Sequence, residues 1–366
     1  MMKQNIKEIT GDELQKILSK EGFEAYRIRQ VIEWLWKKNA HSFAEMSSLS
    51  KALRDKLEEL FTLPVLKTAI TLESKDKTLK LGFSLPKGEI IEGVLIPAKD
   101  RVTACISTQV GCNVGCTFCA TATMGYKRNL TFYEIYDQVA LLNKLSEEKY
   151  KKKLSNIVIM GMGEPLLNYE AVMQALRMVT DPDLLAFSPQ RITLSSVGIP
   201  KMIQKLAEEK LRIQLAISLH SANDGKRDKI VPLNKKYPLQ EISKALVKYH
   251  EKTNARIIIE YLLLKGFNDS KADAQELAVF CKSFPVKVNL IAFNAVPGCG
   301  YSRSEDVTMN AFKDVLEKKN MIVQMRRSRG TDIAAACGQL AARKISATAT
   351  KTPESKPARK PVRKSR

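Results

Sequence analysis

The chain has 366 residues, of which 44% are hydrophobic and 27% charged, a composition typical of a globular protein with a substantial core. It contains no run of about 18 to 20 apolar residues that could span a bilayer, and its first residues lack the apolar segment of a secretory signal. A formal net charge of +21 favours a polyanionic partner. These features predict a cytoplasmic protein with no membrane partner, for which RNA is the commonest polyanion.

The first 66 residues predict a small helical domain. Thr10 starts a first helix that Gly22 ends, and Ser50 caps a third helix with apolar residues at helical spacing. Its basic helices favour an RNA-binding accessory role, with a purely structural cap as the alternative. Residues 67–97 change to short apolar runs separated by glycine and polar turns, which predicts a β extension or linker.

From residue 98 to residue 343, apolar strands alternate with amphipathic helices. The strands are expected at "VTACIST", "NIVIMG", "RITLSS", "RIQLAISLH", "RIIIEYLLL" and "KVNLIAFN", with "MIVQMRRS" as a further candidate. This alternation predicts an α/β fold built as a partial (βα)6-type barrel. Residues 344–366 carry eight Lys or Arg and one Glu with almost nothing to bury, which predicts a disordered basic tail.

Polar and small residues follow these strands, where the active site of such a barrel lies. In chain order they are Cys112 to Cys119, Gly163 and Glu164, Ser195, Ser218 and His220, and Asn294. Each taken singly has an ordinary structural explanation, such as a turn glycine or a core histidine. Their convergence on one end of the predicted barrel favours a shared binding site.

Four of the seven cysteines fall within fifteen residues. Cys112, Cys116 and Cys119 have the spacing C-x3-C-x2-C, and Cys105 lies seven residues upstream. Four cysteines could complete a tetrahedral zinc site. Three could hold an iron–sulfur cluster with one iron left open. The spacing favours the cluster and leaves zinc as the rival.

The C-x3-C-x2-C motif after the first strand of such a barrel resembles that of radical S-adenosylmethionine (SAM) enzymes. Four further motifs, "RNLT", "GMGEPLLN", "SLH" and "RGTDIAAACGQLA", are similar to those of the RlmN/Cfr group of RNA adenine methyltransferases. The resemblance extends from about residue 10 to residue 343 and leaves only the basic tail uncovered.

The resemblance implies two cofactors, a [4Fe–4S] cluster and SAM. The cluster ligands would be Cys112, Cys116 and Cys119, with the open iron chelating SAM. The SAM contacts would be Gly163, Glu164, Ser195, Ser218, Leu219, His220 and Asn294.

The resemblance also implies three catalytic residues. Cys337 would take a methyl group from one SAM and, after hydrogen abstraction by a radical from a second SAM, would bond to the adenine through that carbon. Glu92 would remove the C2 proton, and Cys105 would form a disulfide with Cys337 that releases the methylated RNA. Without the resemblance, both cysteines would pass for core residues, and Glu92 on an apolar strand would need a partner.

The substrates that the resemblance implies are 23S rRNA, at adenosine 2503 of the peptidyl-transferase loop, and adenosine 37 of tRNAs. An electron donor such as flavodoxin and a monomeric state belong to the same expectation. Methylation at C8, as in the Cfr branch, is the nearest alternative. A non-catalytic zinc-binding RNA module, using Cys105 with the three clustered cysteines, is the second.

Overall fold

The computed structural model describes residues 3–341 of the chain. The predicted basic tail, residues 344–366, therefore lies outside the described residues. The N-terminal unit contains β1 (Gln4–Asn5), α1 (Gly11–Lys20), α2 (Ala25–Ile32), α3 (Lys51–Leu60) and β2 (Phe61–Thr62). The predicted helix starts are confirmed, because Thr10 forms a reciprocal capping box with Glu13 and Ser50 accepts from the Leu53 amide.

The remaining strands follow in chain order. They are β3 (Lys67–Glu73), β4 (Leu79–Ser84), β5 (Ile90–Pro97), β6 (Val102–Cys105), β7 (Gln109–Gly111), β8 (Tyr126–Asn129), β9 (Asn156–Ile159), β10 (Ile192–Ser196), β11 (Gln214–Ser218), β12 (Ile257–Leu263), β13 (Val286–Ala292) and β14 (Ile322–Arg326). The helices between them are α4 (Phe132–Tyr150), α5 (Tyr169–Thr180), α6 (Pro200–Glu208), α7 (Asp224–Ile230), α8 (Leu239–Thr253), α9 (Lys271–Phe280) and α10 (Asp306–Glu317). Within residues 3–341, none of the helices is both long enough and apolar enough to cross a membrane.

Ten strands form one sheet in the order β14-β13-β12-β11-β10-β9-β6-β5-β4-β3. The seven strands from β6 to β14 pair in parallel, as the alternating pattern predicts. The β3–β5 segment adds three antiparallel strands to the β6 edge. The α/β fold with a partial barrel and a β extension is therefore confirmed, with β14 as a seventh parallel strand.

The N-terminal unit packs on α4 of the barrel. The Lys7 ammonium lies 2.6 Å from the Asp137 carboxylate, and both side chains are almost completely buried. The Tyr136 hydroxyl donates to the Trp36 carbonyl at 2.7 Å. Because α4 is covered by the sheet on one side and by this unit on the other, most of its first half is buried.

Candidate active site

The three clustered cysteines lie in the loop that follows β7. Strands β7 and β8 pair around this loop, and a Cβ at Gly111 would lie 1.7 Å from the Gly125 carbonyl oxygen, so only glycine fits at its entry. The Cys112 amide donates to the same carbonyl at 3.2 Å, and the Cys119 amide donates to the Cys116 carbonyl at 3.1 Å. All three cysteines line one cavity.

The electrostatic environment of two of these thiols, Cys112 and Cys116, disfavours bare thiolates. Burial raises the pKa of Cys112 to about 11 and raises the pKa of Cys116 well above its usual range, with the neighbouring thiols adding to both effects. Arg227, a buried cation, opposes the shift at Cys116. Bound iron would supply the positive charge that stabilises adjacent thiolates.

The arrangement fits a cluster better than a single metal ion. Within residues 3–341, no three His, Cys, Asp or Glu side chains converge closely enough to hold one ion. Zinc ligands must converge in this way, whereas a four-iron cluster bonds each thiolate to a different iron. Cys105 lines a second cavity with Cys337 rather than the cavity of the three cysteines. The structure therefore does not assemble the four-cysteine zinc site.

The first cavity, of about 160 Å³, lies at the carboxyl ends of the parallel strands. Its wall combines the three cysteines with apolar side chains that include Phe118, Leu262 and Phe293. Six of the seven sequence-predicted SAM contacts also line it, namely Gly163, Glu164, Ser195, Ser218, His220 and Asn294. The fold thus brings these separate strand ends to one cavity.

Gly163 and Glu164 are held by neighbouring protein groups. Gly163 has a φ of +102°, and a Cβ there would lie 2.6 Å from the Gln109 Cβ, so the packing of Gln109 requires glycine. The Glu164 carboxylate accepts from the amides of Leu166 and Val197, each at 3.0 Å. Burial raises the pKa of Glu164, and these amides oppose that shift. Further lone pairs on the carboxylate stay available to a ligand.

Two serines and a histidine continue the wall. The hydroxyls of Ser195 and Ser218 lie 3.1 Å apart. His220 Nδ1 accepts from the Leu262 amide at 3.1 Å, and the imidazole ring meets Phe118 edge to face at 4.9 Å. Burial lowers the pKa of His220 to about 3. The imidazole is therefore neutral, with Nε2–H as the donor that a ligand can use.

Two buried polar atoms on the cavity wall lack a hydrogen-bond partner. They are Nδ2 of Asn294, a donor, and Oε2 of Glu260, an acceptor. The other Glu260 oxygen accepts from Asn289 Nδ2 at 2.8 Å and from Arg326 Nη1 at 3.2 Å. Because an unpaired buried polar group is costly, these atoms fit a ligand that both accepts and donates. SAM carries a carboxylate, an ammonium and ribose hydroxyls, and so meets that requirement.

Leu219 differs from the other predicted SAM contacts. Its side chain is completely buried in the main core and does not line the cavity. Its amide donates to the Glu260 carbonyl at 3.1 Å, and its carbonyl accepts from Arg227 Nε at 2.9 Å. Leu219 therefore fixes the backbone between Ser218 and His220.

Cys337 lies on the wall shared by two cavities. It lines the first cavity with the three cysteines and the second cavity with Cys105. Cys337 is exposed to these spaces, whereas Cys105, at the end of β6, is buried. Burial, with the nearby Cys337 thiol, raises the pKa of Cys105 to about 12. The fold thus brings together two cysteines that are far apart in sequence.

The second cavity is larger, about 680 Å³, and cationic, because four arginines and one acidic residue, Asp76, line it. The arginines are Arg101, Arg326, Arg327 and Arg329, of which Arg326 pairs with Glu260 and Arg329 with Asp76. Cys105 and Cys337 also line this cavity. Guanidinium groups around a cleft favour phosphate-bearing ligands.

Glu92 has the partner that its burial requires. Its Oε1 lies 2.9 Å from Lys80 Nζ, and its Oε2 accepts from the Ala341 amide at 2.9 Å. Both charged side chains are less than a tenth exposed. Glu92 lines neither cavity and instead lies against the segment that carries Cys337.

Around this site, sequence reasoning missed the buried charged residues Lys80, Arg227 and Glu260. Lys80 pairs with Val94 across the hairpin, which makes it the diagonal neighbour of Glu92 on the same face. Opposite charges at such positions in two apolar strands were a usable signal, as was the lone acid in "RIIIEYLLL". The charged sequence of α7 gives no comparable signal for Arg227.

The fold, the cysteine loop and the first cavity define a radical SAM protein. The Radical SAM superfamily matches residues 106–278, and the ribosomal RNA large subunit methyltransferase N-terminal domain matches residues 4–63. A crystal structure of a radical SAM methyltransferase from Sphaerobacter thermophilus is 39% identical and covers 93% of this chain and 100% of its own, with a TM-score of 0.88.

Similarity to two relatives identifies the family within this class. The probable dual-specificity RNA methyltransferase RlmN of Cytophaga hutchinsonii is 46% identical over 94% of both chains. The dual-specificity RNA methyltransferase RlmN of Solidesulfovibrio magneticus is 43% identical over 92% of this chain and 96% of its own. This chain belongs to the RlmN family.

Proposed function

We propose that this chain is an RNA methyltransferase that methylates C2 of adenosine, at position 2503 of 23S rRNA and at position 37 of tRNAs. The observation that carries the proposal is the place of Cys337, on a wall between a cysteine-lined cavity and a cationic cavity. At that place, the Cys337 thiol could receive a carbon from SAM in the first cavity and transfer it to RNA in the second cavity. The relatives, which are named as RNA methyltransferases, support the same reaction class.

Cys112, Cys116 and Cys119 would hold a [4Fe–4S] cluster, and the remaining wall of the first cavity would hold SAM. When bound, the two cofactors together supply the methyl group and the one-electron chemistry. Asn294 Nδ2 and His220 Nε2–H would donate to acceptor groups of SAM. Glu164 and Glu260 would accept from its ammonium and hydroxyl groups.

In this proposal, Cys337 carries the carbon to the adenine and is joined to the RNA through it. Glu92 would accept the C2 proton through a lone pair that Lys80 and Ala341 leave free. Because Glu92 lines neither cavity, this role requires the segment around Ala341 to move when RNA binds. The Cys105 thiol then loses its proton, and its Sγ bonds to Cys337 Sγ. This breaks the bond between the Cys337 sulfur and the transferred carbon, which leaves with the electron pair of that bond and takes up a proton to become the methyl group. The two cysteines end as a disulfide, so a dithiol reductant must reduce them before the next turnover.

The arginines of the second cavity would bind phosphates beside the target nucleotide. Because the base must leave its stack to reach Cys337, a deep cationic cavity suits an unstacked nucleotide. Residues 1–66 would form an RNA-binding accessory domain, residues 67–97 a β extension and residues 98–343 the radical SAM barrel. The proposal places the enzyme in the cytoplasm as a monomer, with an electron donor such as flavodoxin.

The test is nucleoside mass spectrometry. Reconstituted protein is incubated without oxygen with SAM, a reductant and unmodified 23S rRNA or tRNA, and the digest is compared with 2-methyladenosine and 8-methyladenosine standards. We expect 2-methyladenosine from both RNAs. An 8-methyladenosine peak would assign the chain to C8 methylation, and neither peak from cluster-loaded protein would refute the proposed reaction.

A further inference from the structure

The segment that carries Cys337 has little regular structure of its own. Residues 327–341, called here the Cys337 loop, contain one short helical turn, Thr331–Ile333. Gly330 and Ala334 flank this turn with φ values of +61° and +52°. A left-handed conformation is unfavourable for alanine. The position of the Cys337 thiol therefore depends on contacts that the loop makes with other elements.

The β3–β4 hairpin supplies the first set of contacts. Ser74 Oγ donates to the Asp332 carboxylate at 2.6 Å, and the Lys75 amide donates to its other oxygen at 3.1 Å. The Gly330 amide donates to the Asp76 carboxylate at 3.1 Å. The hairpin thus holds the start of the Cys337 loop through residues that are distant in sequence.

A buried ion pair supplies the second set. Lys80 Nζ donates to the Ala334 carbonyl at 3.1 Å and lies 2.9 Å from Glu92 Oε1. Glu92 Oε2 accepts from the Ala341 amide at 2.9 Å. Ala334 precedes Cys337 by three residues and Ala341 follows it by four. One pair of side chains therefore holds the backbone on both sides of the reactive thiol.

We propose that Lys80 is a positioning residue: through Glu92 and the Ala334 carbonyl, it holds the Cys337 loop so that the Cys337 thiol stays within reach of Cys105. The proposal rests on the proposed roles of Cys337 and Cys105, because only those roles give the placement a function.

The chemistry of lysine explains why this residue type stands here. Its ammonium carries three donors, so it can serve the Glu92 carboxylate and the Ala334 carbonyl together. Its charge also offsets that of a carboxylate that is 4% exposed. A neutral side chain would leave Glu92 uncompensated and would release the strained Ala334 backbone.

The test measures the equilibrium between the Cys105 and Cys337 thiols and their disulfide in an anaerobic glutathione redox buffer. It uses full-length, cluster-loaded protein without SAM or RNA, so that Cys112, Cys116 and Cys119 do not compete for Cys337. Two cysteine thiols and one glutathione disulfide give one protein disulfide and two glutathione thiols. Peptide mass spectrometry measures the ratio of the disulfide form to the dithiol form. That ratio gives the effective concentration of the Cys105 thiol at the Cys337 thiol. Hydrogen exchange of residues 327–341 is followed in parallel.

We expect Lys80→Met to lower this effective concentration about tenfold or more, since two charge-assisted contacts are lost, and to speed exchange in the Cys337 loop. Lys80→Arg keeps the charge and should stay within about threefold of the unmodified chain. The control is Lys77→Met on the same hairpin, whose side chain is 73% exposed and which should change nothing.

A Lys80→Met protein with native circular dichroism and an unchanged effective concentration would overturn the proposal. If Lys80→Met does not fold, Lys80→Gln replaces it, because glutamine keeps a donor for the Ala334 carbonyl. Lys80→Gln must then also lower the effective concentration of the two thiols, and an unchanged value would overturn the proposal. The thiol equilibrium does not depend on methyl transfer. A failure of the proposed reaction would therefore appear in the nucleoside assay alone and leave this result standing.

Discussion

The two cavities differ in the charge of their walls although they share Cys337. The first is small, and its wall is largely apolar, with serine hydroxyls, an uncharged imidazole and the two buried acidic side chains of Glu164 and Glu260. The second is about four times larger and is lined by four arginines. A small, largely apolar cavity with polar groups at fixed places suits one defined cofactor, whereas a larger cationic cavity suits a polyanion of variable shape.

The two cavities are built largely by different elements of the fold. The carboxyl ends of the parallel strands build the first cavity. The second cavity combines β5, β6 and β14 with the Cys337 loop. Substitutions that affect one cavity should therefore leave the ligand of the other largely unaffected. The predictions for Cys112, Asn294 and Arg327 test this separation, and the prediction for Cys105 tests the thiol pair at the junction of the two cavities.

The largest effect is expected for Cys112→Ala. Loss of one of three cluster ligands should reduce bound iron and sulfide to background and abolish methylation, while RNA binding through the second cavity persists. Metal and sulfide analysis of anaerobically purified protein checks the first outcome, and a filter-binding assay checks the second. Cys281→Ala, in the main core, is the matched control and should retain its iron.

Cys105→Ala should allow the bond between Cys337 and the RNA to form but should prevent release of the methylated RNA. Without the resolving thiol, Cys337 should stay joined to the RNA, giving a slowly migrating protein band that nuclease treatment removes. The double variant with Cys337→Ala should give no such band. Free product at the normal rate from Cys105→Ala would rule out release by disulfide formation.

Asn294→Ala removes the orphaned donor from the first cavity. SAM binding, measured by equilibrium dialysis on cluster-loaded protein, should weaken about tenfold, the cost of one hydrogen bond to a charged group. RNA affinity should not change. Gln324→Ala, on the wall of the second cavity, should leave SAM binding intact. Equal losses for both variants would contradict the separation of the two sites.

The smallest effect is expected for Arg327→Gln in the second cavity. RNA affinity should fall about threefold to tenfold at moderate salt, and the slope of log affinity against log salt should decrease by about one. SAM affinity should stay the same. Lys201→Gln on α6 serves as the control for loss of an exposed cation. An unchanged salt slope would mean that Arg327 does not contact phosphate.

Sequence reasoning succeeded where the signal is local. The parallel strands were visible as apolar runs, and Thr10 and Ser50 marked helix starts because capping involves neighbouring residues. The cysteine spacing and the strand-end motifs identify most of the polar residues that line the first cavity.

Sequence reasoning failed where a contact joins distant parts of the chain. The Lys80 ammonium meets the Ala334 carbonyl across 254 residues, and no periodicity encodes that contact. The reason for glycine at position 163 is likewise the side chain of Gln109, more than fifty residues earlier. Arg227 looks like one more surface charge in α7, yet it is 1% exposed.

The buried pair of Lys7 and Asp137 has a consequence for truncation design. Removing residues 1–66 would take away the lysine together with the cover that this unit forms over α4. Asp137 and the rings of Phe132 and Tyr136, which contact Trp36 in the full chain, would then meet water. Exposing a large apolar side chain costs about 1.5–3 kcal/mol, a sizeable part of the stability of an average domain. An expression fragment starting near residue 67 would therefore need polar substitutions on this face of α4 to stay in solution.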